Sequence, residues 1–264
     1  MSNISNHTFV VLAYKESKFL EECIKSVMNQ TVKTNVVIAT STPNEFIDNM
    51  AKKYNLDVIV NKERKGIGYD FDFAKNAANT DLVTIAHQDD IYDPTYAEEI
   101  IKAYKKQPKS LIIFPDYYEI KSKGKVYKNT NLRIKRILLF PLRFHFWSNL
   151  RYIKRHALRL GCAISCPSVT FVNKNCPKEV FSVDLKCNID WYAWEKLSRE
   201  KGYFYFINKP LMGHRIYSES TTSEVLKDNG RTIEDYKILC KFWPKWIAKI
   251  IAKLYANSEK SNNE

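Results

Sequence analysis

The sequence predicts an α/β protein in which a mostly parallel central sheet is flanked by helices. Over residues 7–120, short apolar segments typical of strands alternate with amphipathic segments typical of helices. The 264 residues are 45% hydrophobic and include only 7 Gly and 9 Pro, which favours a large folded core over long flexible linkers. No stretch approaches about 18 uninterrupted apolar residues, so the sequence predicts no transmembrane helix.

Five strands and four helices are expected in this alternating part of the chain. The predicted strands are residues 7–14, 35–40, 56–61, 81–87 and 110–120. The predicted helices, in which apolar residues recur at helical spacing, are residues 17–30, 43–55, 66–79 and 94–107. Strands that are joined by crossover helices run parallel, and such sheets bind ligands at the carboxyl ends of their strands.

Two features predict a cytoplasmic protein. The sequence MSNISNHTFVVLAY has no charged region before its short apolar run, so we expect a first strand there and not a signal peptide. The six cysteines have no paired metal-binding spacing and are expected to be reduced thiols. They are Cys23, Cys162, Cys166, Cys176, Cys187 and Cys240.

The second half of the chain carries the excess positive charge. Residues 121–178 contain 14 Lys and Arg but no Asp or Glu, and the rest of the chain holds 28 basic and 29 acidic side chains. The net charge of +13 therefore comes from this region, and we expect a basic amphipathic helical segment over residues 121–160. A strand (165–175), a helix (190–202), a strand (203–216) and an amphipathic tail helix (244–256) are predicted to follow.

The sequence TIAHQDDIYDP (84–94) places two adjacent carboxylates, Asp89 and Asp90, at the exit of the fourth predicted strand. Neighbouring carboxylates repel each other, which costs stability unless a cation or solvent relieves the repulsion. One interpretation is a turn that also caps the next helix. The other is a binding site for a divalent metal ion, which the position at the carboxyl end of a parallel strand favours.

Five motifs occur in an order that resembles family 2 glycosyltransferases with the GT-A fold. They are VVLAYKES, HQDDIYDP, CPSVTF, NIDWYAWEKLSREKG and NKPLMGHRIYSESTT, within residues 7–222. HQDDIYDP matches the last two acids and the proline of the family's Asp-x-Asp-Asp element. The resemblance implies an inverting enzyme that transfers a sugar from a nucleoside diphosphate donor to a hydroxyl of a surface glycan, either free or linked to a lipid.

The resemblance implies a catalytic base and a metal site. Asp190, which matches the family's catalytic acid, would remove the proton of the acceptor hydroxyl. The alternative for Asp190 is a helix N-terminal cap. Mn²⁺ or Mg²⁺ on Asp89, with His214 as a further ligand, would stabilise the charge of the departing diphosphate. The alternative for His214 is an ordinary surface or core histidine.

The resemblance also implies a set of residues that bind the nucleotide sugar. The set is Ala13, Tyr14, Glu16, Thr40, Lys65, His87, Gln88, Asp90 and Arg215. Tyr14 would stack on the base unless it is a core residue, and Lys65 would approach the phosphates unless it is solvated. Arg215 would contact the diphosphate through its fork of donors.

Three positions depart from the family pattern. His87 stands where family members usually carry the first acid of the metal motif. Thr40 lies in the region where they commonly carry an acid that binds the base, and Tyr217 stands in place of a histidine. The identity of the nucleotide therefore stays open. The departures also motivate an alternative function, a catalytically degenerate transferase-like scaffold or glycan-binding protein.

The resemblance implies a division of the chain. Residues 1–222 would form the transferase domain, with a nucleotide-sugar-binding half (1–120), the basic segment (121–160) and an acceptor half that carries the base (161–222). Residues 223–264 would form a basic amphipathic tail.

Three interpretations compete for the basic segment. Clustered Lys and Arg bind nucleic acid, but interleaved Ile, Leu, Phe and Trp are costly on a surface that faces only DNA or RNA. The segment could also be an ordinary helix packed on the sheet. We favour an anionic membrane surface, because the tail helix repeats the pattern of Lys and Trp. The sequence thus predicts a peripheral protein at the inner face of the cell membrane with no nucleic-acid partner.

Overall fold

The computed structural model describes residues 6–63, 66–181, 185–217 and 230–262, and for residues 255–262 it describes the helix but no side chains. The strands are β1 (His7–Ala13), β2 (Asn35–Thr40), β3 (Val58–Val60), β4 (Leu82–His87), β5 (Ile91–Tyr92), β6 (Ser110–Lys121), β7 (Gly124–Val126), β8 (Thr170–Val172) and β9 (Tyr203–Arg215). The helices are α1 (Leu20–Met28), α2 (Glu45–Tyr54), α3 (Ile67–Asn76), α4 (Tyr96–Lys106), α5 (Thr130–Leu139), α6 (Arg151–His156), α7 (Ile189–Leu197), α8 (Gly230–Leu239) and α9 (Lys245–Asn262). Among these described residues, no helix has the length and apolar character needed to cross a bilayer.

The described strands form one sheet in the order β3-β2-β1-β4-β8-β6-β9-β5, with β7 beside β6. Strands β1 to β4 are parallel to one another, and β6 and β9 run in the same direction as they do. Their carboxyl ends therefore meet at one edge of the sheet. The register brings three of these ends level, because Ala13 pairs with Thr40 and Leu12 pairs with His87.

The α/β class and the mostly parallel sheet are confirmed, but the strand order differs from a simple alternation. β8 runs antiparallel between β4 and β6, so the fourth and fifth predicted strands are not neighbours. β5, which the sequence analysis missed, is antiparallel to β9. Both strands are too short to show a hydrophobic period, and their partners lie far away in the chain.

The sheet separates two hydrophobic clusters. Helices α1, α2 and α4 pack in one cluster, which includes Phe9 of β1, and helices α3, α7, α8 and α9 contribute to the other, which includes Val10. Successive side chains of β1 thus point to opposite clusters, as expected for a strand that is buried on both faces. Ile238 of α8 and Ala248 of α9 are buried in the second cluster, so the predicted tail contributes to the main core.

The predicted basic helical segment forms two shorter helices. The side-chain oxygen of Asn129 caps α5 by accepting the NH of Leu132 at 2.8 Å. Pro141 lies in the 3₁₀ turn Phe140–Arg143 that follows α5, where it cannot donate to a continuing helix. A second 3₁₀ turn (His145–Trp147) precedes α6. The helical prediction is therefore correct in part.

Candidate functional site

The turn after β1 is held against both neighbouring strands. Gln88, which follows β4, accepts the NH of Tyr14 through Oε1 at 3.0 Å and donates through Nε2 to the carbonyl oxygen of Tyr14 at 3.1 Å. Lys15 has a positive φ of 54°, and its NH donates at 2.6 Å to Oγ1 of Thr42, which follows β2. The fixed turn leaves Tyr14 50% exposed beside the strand ends, so the interpretation of Tyr14 as a core residue is wrong.

Asp90 is buried after the end of β4 and organises the contact with β9. Its Oδ1 accepts the NH of Arg215 at 2.8 Å and lies 3.1 Å from Nδ1 of His214. Burial alone would lower the pKa of His214, but the charge and hydrogen bond of Asp90, together with the charge of Asp89, raise it. The buried carboxylate of Asp90 thus has a backbone donor and an imidazole partner, which offset its loss of water.

Asp89 is partly exposed next to Asp90. Burial first, and then the charge of Asp90, raise the pKa of Asp89. Ionisation of both Asp89 and Asp90 is therefore unfavourable, and a bound cation would relieve the repulsion between the two carboxylates. Neither aspartate caps the following helix, because the N-terminal cap residue of α4 is Thr95. The interpretation of the pair as a helix cap is wrong.

His87, Asp89 and Asp90 form a cluster that fits a divalent metal ion. Each residue offers a ligand atom, and these three atoms lie within 4.8 Å of one another. Burial lowers the pKa of His87, which favours the neutral imidazole, and its buried Nε2 has no hydrogen-bond partner among the described residues. Carboxylate oxygens suit Mg²⁺ and Mn²⁺. His87, predicted for donor binding, thus joins the cluster, whereas His214 is not one of the three members and lies beside Asp90.

Helix α1 holds the guanidinium of Arg215 at the site. The Nε of Arg215 donates to the carbonyl oxygen of Asp89 at 2.9 Å, and the Cζ of Arg215 lies 4.2 Å from the centre of the Phe19 ring. Nη2 forms an ion pair with the carboxylate of Glu22. Contact of Arg215 with a diphosphate stays a prediction and would compete with Glu22. The sequence analysis missed Phe19 and Glu22 as site residues, because both fit an ordinary amphipathic helix.

A second polar network lies at the end of β2. The buried carboxylate of Asp70, in the first turn of α3, accepts from Ser41 Oγ at 2.7 Å and from Asn61 Nδ2 at 2.8 Å. Thr40 is 1% exposed, and its Oγ1 accepts the NH of Thr42 at 3.0 Å. Contact of Thr40 with the base stays a prediction. The sequence analysis missed Asp70, whose only signal is an acid in the first turn of a helix that follows a strand.

Asp190 lies in the first turn of α7 and is partly exposed. Its Oδ1 accepts the NH of Trp191 at 2.7 Å, and the thiol of Cys162 donates to Oδ2 at 3.4 Å. The N-terminal cap residue of α7 is Asn188, so the interpretation of Asp190 as the cap is wrong. Burial is the main cause of the lowered pKa of His87, and the charge of Asp190 is a smaller influence that acts to raise it.

Helix α8 fixes the loop that leads to Asp190. The carboxylate of Glu234 accepts the backbone NH groups of residues 186–188 at 2.7, 3.0 and 3.0 Å. Asp235 accepts from the side-chain amide of Asn188 at 2.8 Å, and both carboxylates are buried. The sequence analysis missed Glu234 and Asp235, because no local pattern marks a contact that spans 46 to 48 residues.

Ala13, Glu16 and Lys65 are the other residues that were predicted to bind the nucleotide sugar. Ala13 is buried at the end of β1, and Glu16 is exposed in the turn after it. Lys65 lies outside the described residues. Contact of these residues with a donor stays a prediction.

A family model described as Glycosyl transferase family 2 matches residues 8–175. The solved structure of residues 1–349 of TarS from S. aureus in complex with UDP-GlcNAc is 15% identical with a TM-score of 0.58, covering 90% of this chain and 72% of that chain. The mannosyltransferase PcManGT from Pyrobaculum calidifontis, in complex with GDP-Man and Mn2+, is 14% identical with a TM-score of 0.56, covering 97% of this chain and 70% of that chain. No curated protein matches the chain.

Proposed function

Because the chain belongs to glycosyl transferase family 2 and is a glycosyltransferase with the GT-A fold, we propose that it transfers a sugar with inversion from a nucleoside diphosphate donor to a hydroxyl of a glycan. The observation that carries the proposal is the cluster of His87, Asp89 and Asp90 at the carboxyl end of β4. Parallel sheets bind ligands at this edge, and the exits of β1 and β2 border the same position.

The cluster suits a metal-assisted departure of the diphosphate. The cluster of His87, Asp89 and Asp90 would hold Mn²⁺ or Mg²⁺. Asp89 would be the direct ligand, and the buried Asp90 would support it. The ion, when bound, supplies positive charge that stabilises the departing diphosphate. The carboxylate of Asp90 accepts a hydrogen bond from the NH of Arg215 and lies beside His214, so it holds the end of β9 against the end of β4. His214 and Arg215 are thereby positioned to meet a diphosphate.

The turn after β1 is the proposed seat of the nucleotide. Tyr14 offers an exposed ring for stacking on a base, and Gln88 fixes the backbone on which that ring is carried. The network of Asp70 at the end of β2 borders the same region. The solved structures of similar fold hold UDP-GlcNAc in one case and GDP-Man with Mn2+ in the other, which supports a nucleotide-sugar donor for this chain.

Asp190 is the proposed base for the acceptor hydroxyl. An inverting transfer needs a carboxylate that takes the hydroxyl proton as the oxygen attacks the anomeric carbon. Oδ1 of Asp190 accepts the NH of Trp191, whereas among the described residues Oδ2 receives only a weak thiol donor, Cys162. Oδ2 is therefore the oxygen that would accept the proton. The thiol of Cys162 can shift away without loss of a strong bond.

Donor hydrolysis tests the proposal without knowledge of the acceptor. Purified protein is incubated with UDP-, GDP- and dTDP-sugars, and the released nucleoside diphosphate is measured with Mn²⁺, with Mg²⁺ and with EDTA. We expect cation-dependent release from one nucleotide class, and loss of release in Asp89→Asn. Asp48→Asn, on the exposed face of α2, is the matched control and should keep full activity. Absence of release from every donor, and of thermal stabilisation by every donor, would contradict the proposal.

A further inference from the structure

Two stretches of the chain expose a large apolar surface. Of the 18 large hydrophobic side chains that are exposed in the described part of the chain, 12 belong to residues 134–160 and 246–254. Phe146 is 84% exposed and Trp246 is 68% exposed. Exposed apolar side chains in this number are unusual on a protein surface and indicate a binding surface. We call it the apolar-basic face; its apolar members are Ile134, Ile137, Phe140, Phe144, Phe146, Trp147, Leu150, Tyr152, Leu160, Trp246, Ile250 and Leu254.

Basic side chains accompany the apolar ones, and the segments that carry them contain no acid. The exposed basic residues of the two stretches and their flanks are Arg133, Arg151, Lys245, Lys249 and Lys253. No Asp or Glu occurs in residues 121–178 or in residues 245–254. The face therefore combines apolar area with positive charge, of which the guanidinium of Arg155 is paired with Glu195 of α7.

The first stretch contacts the residues that directly precede the second. The indole NH of Trp243, just before α9, donates to the carbonyl oxygen of Arg159 at 2.7 Å, and Nη2 of Arg155 donates to the carbonyl oxygen of Lys241 at 2.6 Å. The guanidinium of Arg155 also lies 4.5 Å from the centre of the Phe242 ring. The apolar-basic face is thus built from two parts of the chain that pack side by side.

A cavity of about 210 Å³ lies between residues 152–159 and the residues just before α9. Its lining combines cationic and aromatic residues, namely Tyr152, Arg155, His156, Arg159, Phe242 and Trp243. The Nε of Arg159 is buried and has no hydrogen-bond partner among the described residues. A buried guanidinium NH without an acceptor is costly, and an anionic oxygen in the cavity would satisfy it.

We propose that the apolar-basic face docks on an anionic phospholipid bilayer and that the cavity at Arg159 receives a lipid phosphate group. The apolar side chains enter the boundary between headgroups and acyl chains, while the Lys and Arg side chains meet anionic headgroups. A nucleic-acid duplex would leave Phe146 and Trp246 without apolar contact, because it presents chiefly a charged backbone.

The face adjoins the acceptor side of the proposed active site. Cys162, which contacts Asp190, follows Leu160 of the face by two residues. Docking would therefore bring the carboxylate of Asp190 close to a membrane, where a lipid-linked acceptor would be available. This consequence for the acceptor rests on the proposed function, whereas docking itself does not.

Vesicle sedimentation of the full chain, without donor or metal, tests the docking. We expect binding to phosphatidylcholine vesicles that contain about one third phosphatidylglycerol, little binding to pure phosphatidylcholine, and weaker binding at high salt. Phe146→Ser with Trp246→Ser should weaken binding about tenfold or more. Met28→Ser is the matched control, since Met28 is 46% exposed on α1 away from the face, and it should bind as the wild type does.

A second variant tests the cavity. Arg159→Gln should reduce the preference for anionic over zwitterionic vesicles several-fold, whereas the exposed Lys105→Gln on α4 should not. Equal binding of all variants, binding to no vesicle, dimerisation through the face in light scattering without vesicle binding, or tight binding to duplex or single-stranded DNA would each overturn the inference. Donor hydrolysis is measured separately in solution, and it should survive in the Phe146 and Trp246 variant, so failure of docking is distinguishable from failure of the proposed function.

Discussion

The donor half and the acceptor half of the proposed site are held in place in different ways. In the donor half, the exits of β1, β2 and β4 are fixed by neighbours within one parallel sheet, as in the paired bonds of Gln88 with Tyr14. In the acceptor half, the loop before Asp190 is fixed by Glu234 and Asp235 of α8, far away in the chain. Donor binding and proton transfer therefore have separate supports, so one can be weakened while the other persists.

Loss of the proposed base at Asp190 should separate the two halves. Asp190→Asn removes the proposed base but keeps an oxygen that can accept the NH of Trp191, so turnover should fall about 100- to 10,000-fold with donor affinity unchanged. Turnover is measured from released nucleoside diphosphate, and donor affinity by calorimetry. Asp48→Asn serves again as the control. A loss of donor affinity that parallels the loss of turnover would show that the halves are not separate.

Glu234→Gln weakens the acceptor half from outside the site. The amide loses the charge and turns an NH₂ group toward three backbone donors, so the free energy of unfolding should fall by about 1–3 kcal/mol. Turnover should fall as well, with the KM for donor unchanged, because the loop before Asp190 loses its support. Urea unfolding and steady-state kinetics measure the two effects. The exposed Glu200→Gln should change neither, and full turnover in Glu234→Gln would exclude a positioning role for α8.

The donor half carries a pH-sensitive position in β1. Burial lowers the pKa of His7 from 6.5 to about 3. Between these values the unfolded chain binds a proton that the folded chain does not, so His7 destabilises the fold progressively as the pH falls from 6.5 toward 3. This contribution reaches about 1.4 kcal/mol per pH unit. Urea unfolding of wild type and His7→Gln at several pH values isolates it, and identical slopes for the two proteins would contradict the assignment.

Substitution of Gln88 should affect donor binding only slightly, through the turn after β1. Gln88→Ala removes two hydrogen bonds to the backbone of Tyr14, each worth about 1 kcal/mol at most at this partly exposed position. The KM for donor should rise several-fold, and turnover at saturating donor should stay the same. A fall in saturated turnover with no change in KM would assign Gln88 to the acceptor half instead.

The sequence predicted the donor half well because its signals are local. The alternation of apolar runs and amphipathic segments marked β1 to β4 and their helices, and the order of strand and helix implied the parallel pairing. Asp89 and Asp90 were identified from their place at a strand exit, which the structure confirms. The short strand β3 and the helix starts differ by a few residues, because element ends depend on individual capping contacts.

The acceptor half could not be predicted to the same depth, because its defining contacts join distant residues. No local pattern placed β8 between β4 and β6, or Glu234 against the loop before Asp190. The basic segment was predicted as surface helix, yet Lys154 within it is buried and donates to the carbonyl oxygens of Glu200 and Gly202 at 2.6 and 3.1 Å. The sequence of a basic amphipathic segment does not show whether a given Lys is buried or exposed.

Manganese binding at the exit of β4 tests whether His87, Asp89 and Asp90 form a metal site. The titration of Mn²⁺ into wild type and Asp89→Asn, followed by electron paramagnetic resonance with and without the donor nucleotide, reports occupancy of the site. We expect one site in the wild type that tightens with the nucleotide, and affinity at least about tenfold weaker in Asp89→Asn. Equal Mn²⁺ affinity in the two proteins, with no effect of the nucleotide, would contradict a metal site formed by His87, Asp89 and Asp90.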